Sequence, residues 1–404
     1  MSLDFSPYDT DVQEDPYPIY KQLRAVPGIY YNERREYWVA SRYADVKKIA
    51  QDPKRFSSAS GILINLDPET GKANKNFKPA TPSLIMMDPP QHKGLRNLVQ
   101  RAFTSTRIKL LEPRIRTIAS ELIDDFIETG EWDFVKDFSG VFPCTVICEM
   151  LGCDIKHRGI FKRVADDMVQ SVGIKSQSEI AAKRMELFQI INDEIQDRKV
   201  NPRDDLISVL VQSDVEGRAL TDPELYSFIF TLLLAGTETT TNLLGSALVL
   251  MEENPEIGQL LRDDPSEIPN AVEEFLRMES PAQGLARTTT EAVEINGVTI
   301  PKGERILLLW GSANKDEDKF SNAELFDVSR KLRDHIAFGF GVHFCLGANL
   351  ARLEARVALE ELVKRIPDYK IHRGNAKRVH AGAIRGWANL PMTFTPGKRQ
   401  GTPV

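Results

Sequence analysis

Cys345 stands between a glycine-bearing loop and a strongly patterned helix, in Phe338-Gly339-Phe340-Gly341-Val342-His343-Phe344-Cys345-Leu346-Gly347. A structural thiol has no need of such a setting, because it can pack on any apolar face. Here a helix begins just past the sulfur. Backbone N–H groups at its start point back at Cys345, and the positive end of the helix dipole favours a thiolate. Gly341 permits a tight turn, and Gly347 lets a flat partner approach with no Cβ in the way. A thiolate built for nucleophilic attack would want a neighbouring His or Asn as base. Phe344 and Leu346 flank this one instead and suit an apolar macrocycle, with His343 in reach of an acidic group on its rim.

The chain has four cysteines in 404 residues. Cys144, Cys148 and Cys153, with His157, lie close enough to raise zinc, but their spacing is not a familiar finger spacing. The surrounding "VFPCTVICEMLGCDI" is apolar and helix-like, so these thiols are expected to pack as hydrophobes. Free thiols and an N-terminus without a basic and apolar leader lead to the expectation of a cytoplasmic protein. A formal net charge of −6 argues against a nucleic-acid partner on electrostatic grounds.

The elements that must position Cys345 are mostly helical. Thr221-Asp222-Pro223-Glu224 has the form of a capping box and Asn254-Pro255 ends what it starts, which predicts a helix of about thirty residues. Its apolar run, 226–251, is long enough to cross a bilayer. Glu238 among threonines near its centre would cost about 2.5–3.5 kcal/mol in lipid, so a helix through the middle of a non-membrane protein is expected. After Cys345, apolar residues at 346, 350, 353, 357, 362 and 366 predict an amphipathic helix stopped by Pro367. Further helices are expected at 16–23, 44–51, 92–103, 108–129, 144–151, 157–172, 180–198 and 268–279. Hairpins are expected at 30–41 and 292–309, the second around Asn296-Gly297, with one more strand at 390–394. No repeat and no linker divides the chain, so the expectation is one domain over 1–404, mainly α with a small β portion.

The order Phe338-x-x-Gly341-x-His343-x-Cys345-x-Gly347 resembles the haem-binding signature of the cytochrome P450 family in its bacterial form. The resemblance runs along nearly the whole chain. Glu274 and Arg277 match the family's E-x-x-R, and Ala235-Gly236-Thr237-Glu238-Thr239-Thr240 its oxygen-activating helix. His92 and Arg96 resemble its H-x-x-x-R propionate pair, Arg287 the arginine for the other propionate, and 318–330 the meander before the cysteine. The family resemblance implies the P450 fold, with haem b (iron protoporphyrin IX) between the long central helix and the helix after the Cys loop. It implies Cys345 as the iron ligand, with Phe338, Gly339, His343, Gly347, Ala235 and Gly236 against the macrocycle. His92, Arg96, Arg287 and His343 would neutralise the propionates, and Glu274 and Arg277 would be structural, fixing the Cys345 loop.

A thiolate ligand pushes electron density onto haem iron and favours O–O cleavage, which also needs controlled protons. Glu238 and Thr239 interrupt an otherwise apolar helix and are the expected proton relay, although Thr239 can also bond back to the carbonyl one turn earlier and bend the helix. The activity implied is a monooxygenase that uses dioxygen on a hydrophobic small molecule. A peroxide-driven peroxygenase and a non-catalytic haem sensor are the alternatives. No G-x-G-x-x-G unit opens a βαβ, so electrons are expected from a separate ferredoxin and its reductase, with the protein a monomer. Arg101, Arg107, Lys109, Arg114 and Arg116 form a basic excess that either docks the ferredoxin or is an ordinary solvated face. By resemblance the substrate pocket draws on residues near 62–87 and 166–180 and on Ala235, Thr239, Ala282, Leu285, Ala383 and Ile384. Lys75 and Lys78, beside the first of these segments, are candidates to anchor a substrate carboxylate.

Overall fold

The computed structural model describes residues 3–67, 69–79, 83–170, 177–215, 217–330 and 334–401, without the side chains of 165–170, 177–184 and 215. Residues 171–176 of the segment expected around 166–180 as a pocket wall, and the side chains of the rest of it, therefore lie outside what is described.

The central helix runs over Asp222–Glu253, 32 residues, and is the axis of the main core. Both arms of its capping box form, Thr221 toward the third-residue N–H and Glu224 back to the Thr221 N–H. Asn254 leaves helical geometry and Pro255 opens the next helix, Pro255–Asp263, because proline cannot continue the hydrogen-bond ladder it would join. Every residue of the central helix from Leu243 to Met251 is buried, the pattern of a helix enclosed on all sides. Among the described residues, no helix is long and apolar enough to cross a membrane.

Helix Phe142–Leu151 packs on one side of this axis and helix Ala348–Arg365 on another. Cys144, Cys148 and Cys153 are 1%, 0% and 6% exposed within the main core, where they pack as small hydrophobes. The helix expected over 108–129 is two, Ser105–Leu110 and Glu112–Asp124. Pro113 explains the break: its ring excludes the carbonyl one turn earlier and pre-sets the first turn of a new helix.

The β portion is led by a five-stranded sheet in the order Tyr30–Asn32, Tyr37–Ala40, Arg305–Leu308, Leu285–Thr289, Phe56–Ser57. Tyr30–Asn32 and Tyr37–Ala40 form the expected hairpin. Val293–Ile295 and Val298–Ile300 form a second around Asn296 and Gly297, both with positive φ. The expectation that this hairpin extends to 309 is corrected. Pro301 and the positive-φ Gly303 end it, and Arg305–Leu308 turns away to lie parallel to Tyr37–Ala40 and antiparallel to Leu285–Thr289. That pairing sets Arg287 opposite Ile306 and aims the arginine at the site.

Candidate haem-thiolate site

The loop carrying Cys345 is closed by its own backbone, with the Cys345 N–H donating to the Phe338 carbonyl at 2.9 Å. Gly341 has φ 73°, and a Cβ there would stand 2.4 Å from the Ala50 carbonyl oxygen. Both facts demand glycine at that position. Burial pushes the Cys345 thiol up, while the Gly347 N–H and the charges of Arg96 and Arg352 pull the other way. The last three all favour a thiolate at this sulfur.

Cys345 opens onto a cavity of about 260 Å³ between its loop and the central helix. Of the residues singled out in the sequence, His92, Arg96, Ala235, Gly236, Thr239, Ala282, Leu285, Arg287, Phe338, Gly339, His343 and Gly347 also line it. The distal wall adds Leu84, Ile85, Phe228 and Leu232. Spacings of three and four from Ala235 back to Leu232 and Phe228, and forward to Thr239 and Leu243, put these side chains on one helix face. Extending the periodicity through Ala235 would have found them.

One edge of the cavity collects positive charge with little to balance it. His92 is 2% exposed and its Nε2 has no hydrogen-bond partner among the described residues. Arg287 is 3% exposed, and its guanidinium donates only to the Ala286 carbonyl at 2.9 Å. Burial lowers Arg287 to about 10, with Asp88 acting in opposition. His343 lies with its ring centroid 4.5 Å from that of His92 and its Nε2 3.2 Å from Ser58 Oγ. Burial first, then the charges of Arg287, His92 and Arg96, pulls His343 down to about 3. Asp88 is held by the Ser57 hydroxyl and the Ser58 N–H rather than by the guanidiniums of Arg96 and Arg287. A buried guanidinium without an anion is costly. A ligand bringing two carboxylates to this edge would supply what the protein leaves out, so the site fits a haem with its propionates here.

Glu274 and Arg277 do not reach the cavity. Both are 0% exposed and form a bidentate pair, 2.7 Å in each arm. Arg277 also donates to the carbonyls of Asn314, Ala323 and Leu325, while Glu274 accepts from the Asp327 N–H and Arg330. The pair therefore ties helix Ile268–Met278 to the 314–330 segment that leads into the Cys345 loop.

The placement of other residues corrects their expected settings. Glu238 is 4% exposed and is not in the cavity lining, one residue from Thr239, which is. A step of one residue turns a helical side chain by about 100°, which separates the two. Ala383 and Ile384 do not line the cavity either; they back it, through Gln283 N–H to Ala383 O at 2.8 Å and a bridge between Ala282 and Ile384. Lys75 is 2.7 Å from Glu304 and is engaged there, while Lys78 is exposed. Arg114 pairs with Glu149, and Arg116 with Glu112, Glu360 and Glu361, which leaves Arg101, Arg107 and Lys109 without an acidic partner among the described residues.

Glu354 was not anticipated. It lines the cavity at 2% exposure; burial pushes its carboxyl well above the usual range, and a hydrogen bond with Thr240 pulls the other way. Its position between Leu350 and Val357 on the helix's buried face was the available signal.

A sequence profile described as Cytochrome P450 matches residues 155–366. A curated relative, the putative cytochrome P450 123 of Mycobacterium tuberculosis, is 38% identical over 97% of this chain and 97% of its own. The steroid C26-monooxygenase of the same species is 36% identical over 93% of each. Among solved structures, cytochrome P450 CYP109Q5 from Chondromyces apiculatus superposes with a TM-score of 0.87 at 36% identity, covering 98% of this chain and 100% of that one.

Proposed function

The chain belongs to the cytochrome P450 family and is an oxidoreductase of the monooxygenase class, and on that premise we propose that it binds haem b through Cys345 and oxygenates a neutral hydrophobic small molecule. The observation that carries this reading is the opposition of Cys345 and Thr239 across one cavity whose edge gathers His92, Arg96, Arg287 and His343. When bound, a haem with a thiolate ligand supplies activation of dioxygen by electron donation from sulfur. The chain's own residues do the rest. The cationic edge orients the macrocycle, and the apolar distal wall excludes bulk water and holds the substrate by burial. The Thr239 hydroxyl donates to the Ala235 carbonyl at 2.8 Å, so its lone pairs are free to take a hydrogen bond from the reacting oxygen. Rotation about its Cα–Cβ bond would let the same group give its proton there. Glu238, behind it, replenishes that proton.

Thr239→Ala should leave substrate binding and reduction near wild type while diverting most electrons to peroxide. Product and peroxide measured per reduced cofactor consumed check this, and wild-type coupling would reduce Thr239 to a helix-bending residue.

The substrate class follows from the distal wall. Leu84, Ile85, Phe228, Leu232, Ala235, Ala282 and Leu285 carry no charge, and Lys75 is held by Glu304. A fused-ring or terpenoid skeleton without a carboxylate suits these walls, in line with the mycobacterial relative being a steroid C26-monooxygenase. Neutral steroids and terpenoids should shift the haem from low to high spin at lower concentration than fatty acids or aromatic acids of similar size. Oxygenated product that requires dioxygen, a ferredoxin and its reductase tests the activity against the peroxygenase and sensor alternatives.

For electron supply, Arg101, Arg107 and Lys109 are exposed in the same segment as Leu110, which is 76% exposed, and Asn349 ties this segment to the helix behind Cys345 by a bond to the Phe103 carbonyl. An acidic ferredoxin seated there would approach the thiolate side. Arg352 and Arg356 are held by Glu273, Glu112 and Glu360 and contribute less. Arg107→Glu with Lys109→Glu should slow ferredoxin-driven reduction several-fold at low salt. The deficit should shrink as the Debye length falls below about 8 Å, with dithionite reduction unchanged.

A further inference from the structure

Among the described residues, buried polar atoms without a protein partner concentrate in one wedge. Asn242 is 1% exposed with neither Oδ1 nor Nδ2 bonded, so exchanging the two ends of the amide does not help it. Ser246 Oγ, Ser139 Oγ and Trp387 Nε1 share that state at 2%, 0% and 8% exposure, and Arg378 Nη1 joins them. These groups are neighbours. A Cβ on Gly386 would stand 1.9 Å from Asn242 Oδ1, and one on Gly245 would stand 3.3 Å from Trp387 Cδ1. Thr241 Oγ1 donates to the Ser139 carbonyl at 2.8 Å, and the Arg378 guanidinium lies 3.7 Å over the Trp387 ring.

The wedge has a direction. Glu238, Asn242 and Ser246 recur at four-residue spacing on the central helix, so they form one stripe beside the stripe that lines the cavity. At its far end Trp387 pairs with Arg378 in the short ladder Lys377–Arg378/Trp387–Asn389, where Lys377 is exposed. Native interiors rarely leave such groups unbonded, and ordered water is the usual partner where protein atoms are not. None of these five residues lines the cavity.

We propose that Asn242, Ser246, Ser139 and Trp387 line a hydrated path that carries protons from the surface at Arg378 to the Glu238 carboxyl, apart from the cavity that takes the substrate. Serine hydroxyls both accept and donate, so they pass a proton from one water to the next. Asn242 and Trp387 act as positioning residues, their N–H groups fixing the waters. Each proton that Glu238 gives toward Thr239 is matched by one taken from bulk solvent at the far end, so the path returns to its starting charge. This rests on the reading of Glu238 as the acid of the reaction.

The test uses the haem-loaded enzyme with ferredoxin and reductase, in the variants Asn242→Leu, Ser246→Ala and Trp387→Phe. Ser246→Ala removes one polar atom while keeping shape, and Trp387→Phe removes the indole N–H together with part of the ring. Dioxygen consumption should slow several-fold and its solvent deuterium isotope effect should grow, while peroxide-driven product formation, which needs no proton from this path, stays at the wild-type level. A high-resolution crystal structure of the wild type should show ordered water bonded to Asn242 and Ser246. Wild-type rates and isotope effects in all three variants overturn the path, and so does a dry contact between these side chains in the crystal. Failure of the wild type to oxygenate with either dioxygen or peroxide would instead sink the monooxygenase reading, with the crystallographic water still deciding the path.

Discussion

Replacing Cys345 by serine is expected to abolish the thiolate-type Soret band of the reduced carbon-monoxide complex. A serine hydroxyl stays protonated at neutral pH and donates little to iron, so the Gly347 N–H, Arg96 and Arg352 would surround an oxygen they cannot ionise. Oxygen-dependent turnover should fall to background. Haem retention should fall less, because the His92, Arg96, Arg287 and His343 edge and the apolar walls remain. A thiolate-type band that persists in Cys345→Ser would remove this residue as the ligand, and the functional reading with it.

Breaking the Glu274–Arg277 pair is expected to have the next largest effect. Arg277→Ala leaves the Glu274 carboxylate buried at 0% exposure and takes donors from the Asn314, Ala323 and Leu325 carbonyls. Removing one partner of a buried pair costs about 3–5 kcal/mol. The variant should purify largely without haem and unfold at lower denaturant. Arg277→Lys should behave similarly, because one ammonium cannot reproduce a planar fork that serves a carboxylate and three carbonyls together. The double variant Glu274→Leu/Arg277→Met removes the buried pair but leaves the three carbonyls without their donor and Arg330 without its carboxylate, so it should recover only part of the loss. Full haem content in the double variant would show that the charge pair matters and its ties to the 314–330 segment do not.

Several parts of this site were legible in the residues because their causes are local. Thr221 and Glu224 cap a helix through atoms three residues apart, and Pro255 ends it by covalent geometry. The glycine requirement at 341 comes partly from its own φ, and Asn296-Gly297 sets its turn the same way. Cys345 stands out by its own loop, while Thr239 and Arg287 are legible through the resemblance of their motifs, in order and spacing, to those of the family.

What only the tertiary structure decided involves partners far apart in sequence. Whether Arg116 is a docking charge depends on Glu360, 244 residues away, and whether Lys75 can meet a substrate depends on Glu304, 229 residues away. Sequence spacing names the ionisable side chains, but ion pairing is set by distances of a few ångströms that the packed helices alone establish. Glu238 and Thr239 differ by one position and face different surroundings, and Glu354, an ordinary helix carboxyl by composition, lies buried against Thr240. The residue types and their order thus determined the chemistry available to this protein. The packing of the central helix against the Cys345 helix and the Trp387 ladder determined which groups meet the cavity, which are neutralised, and which remain buried without a protein partner.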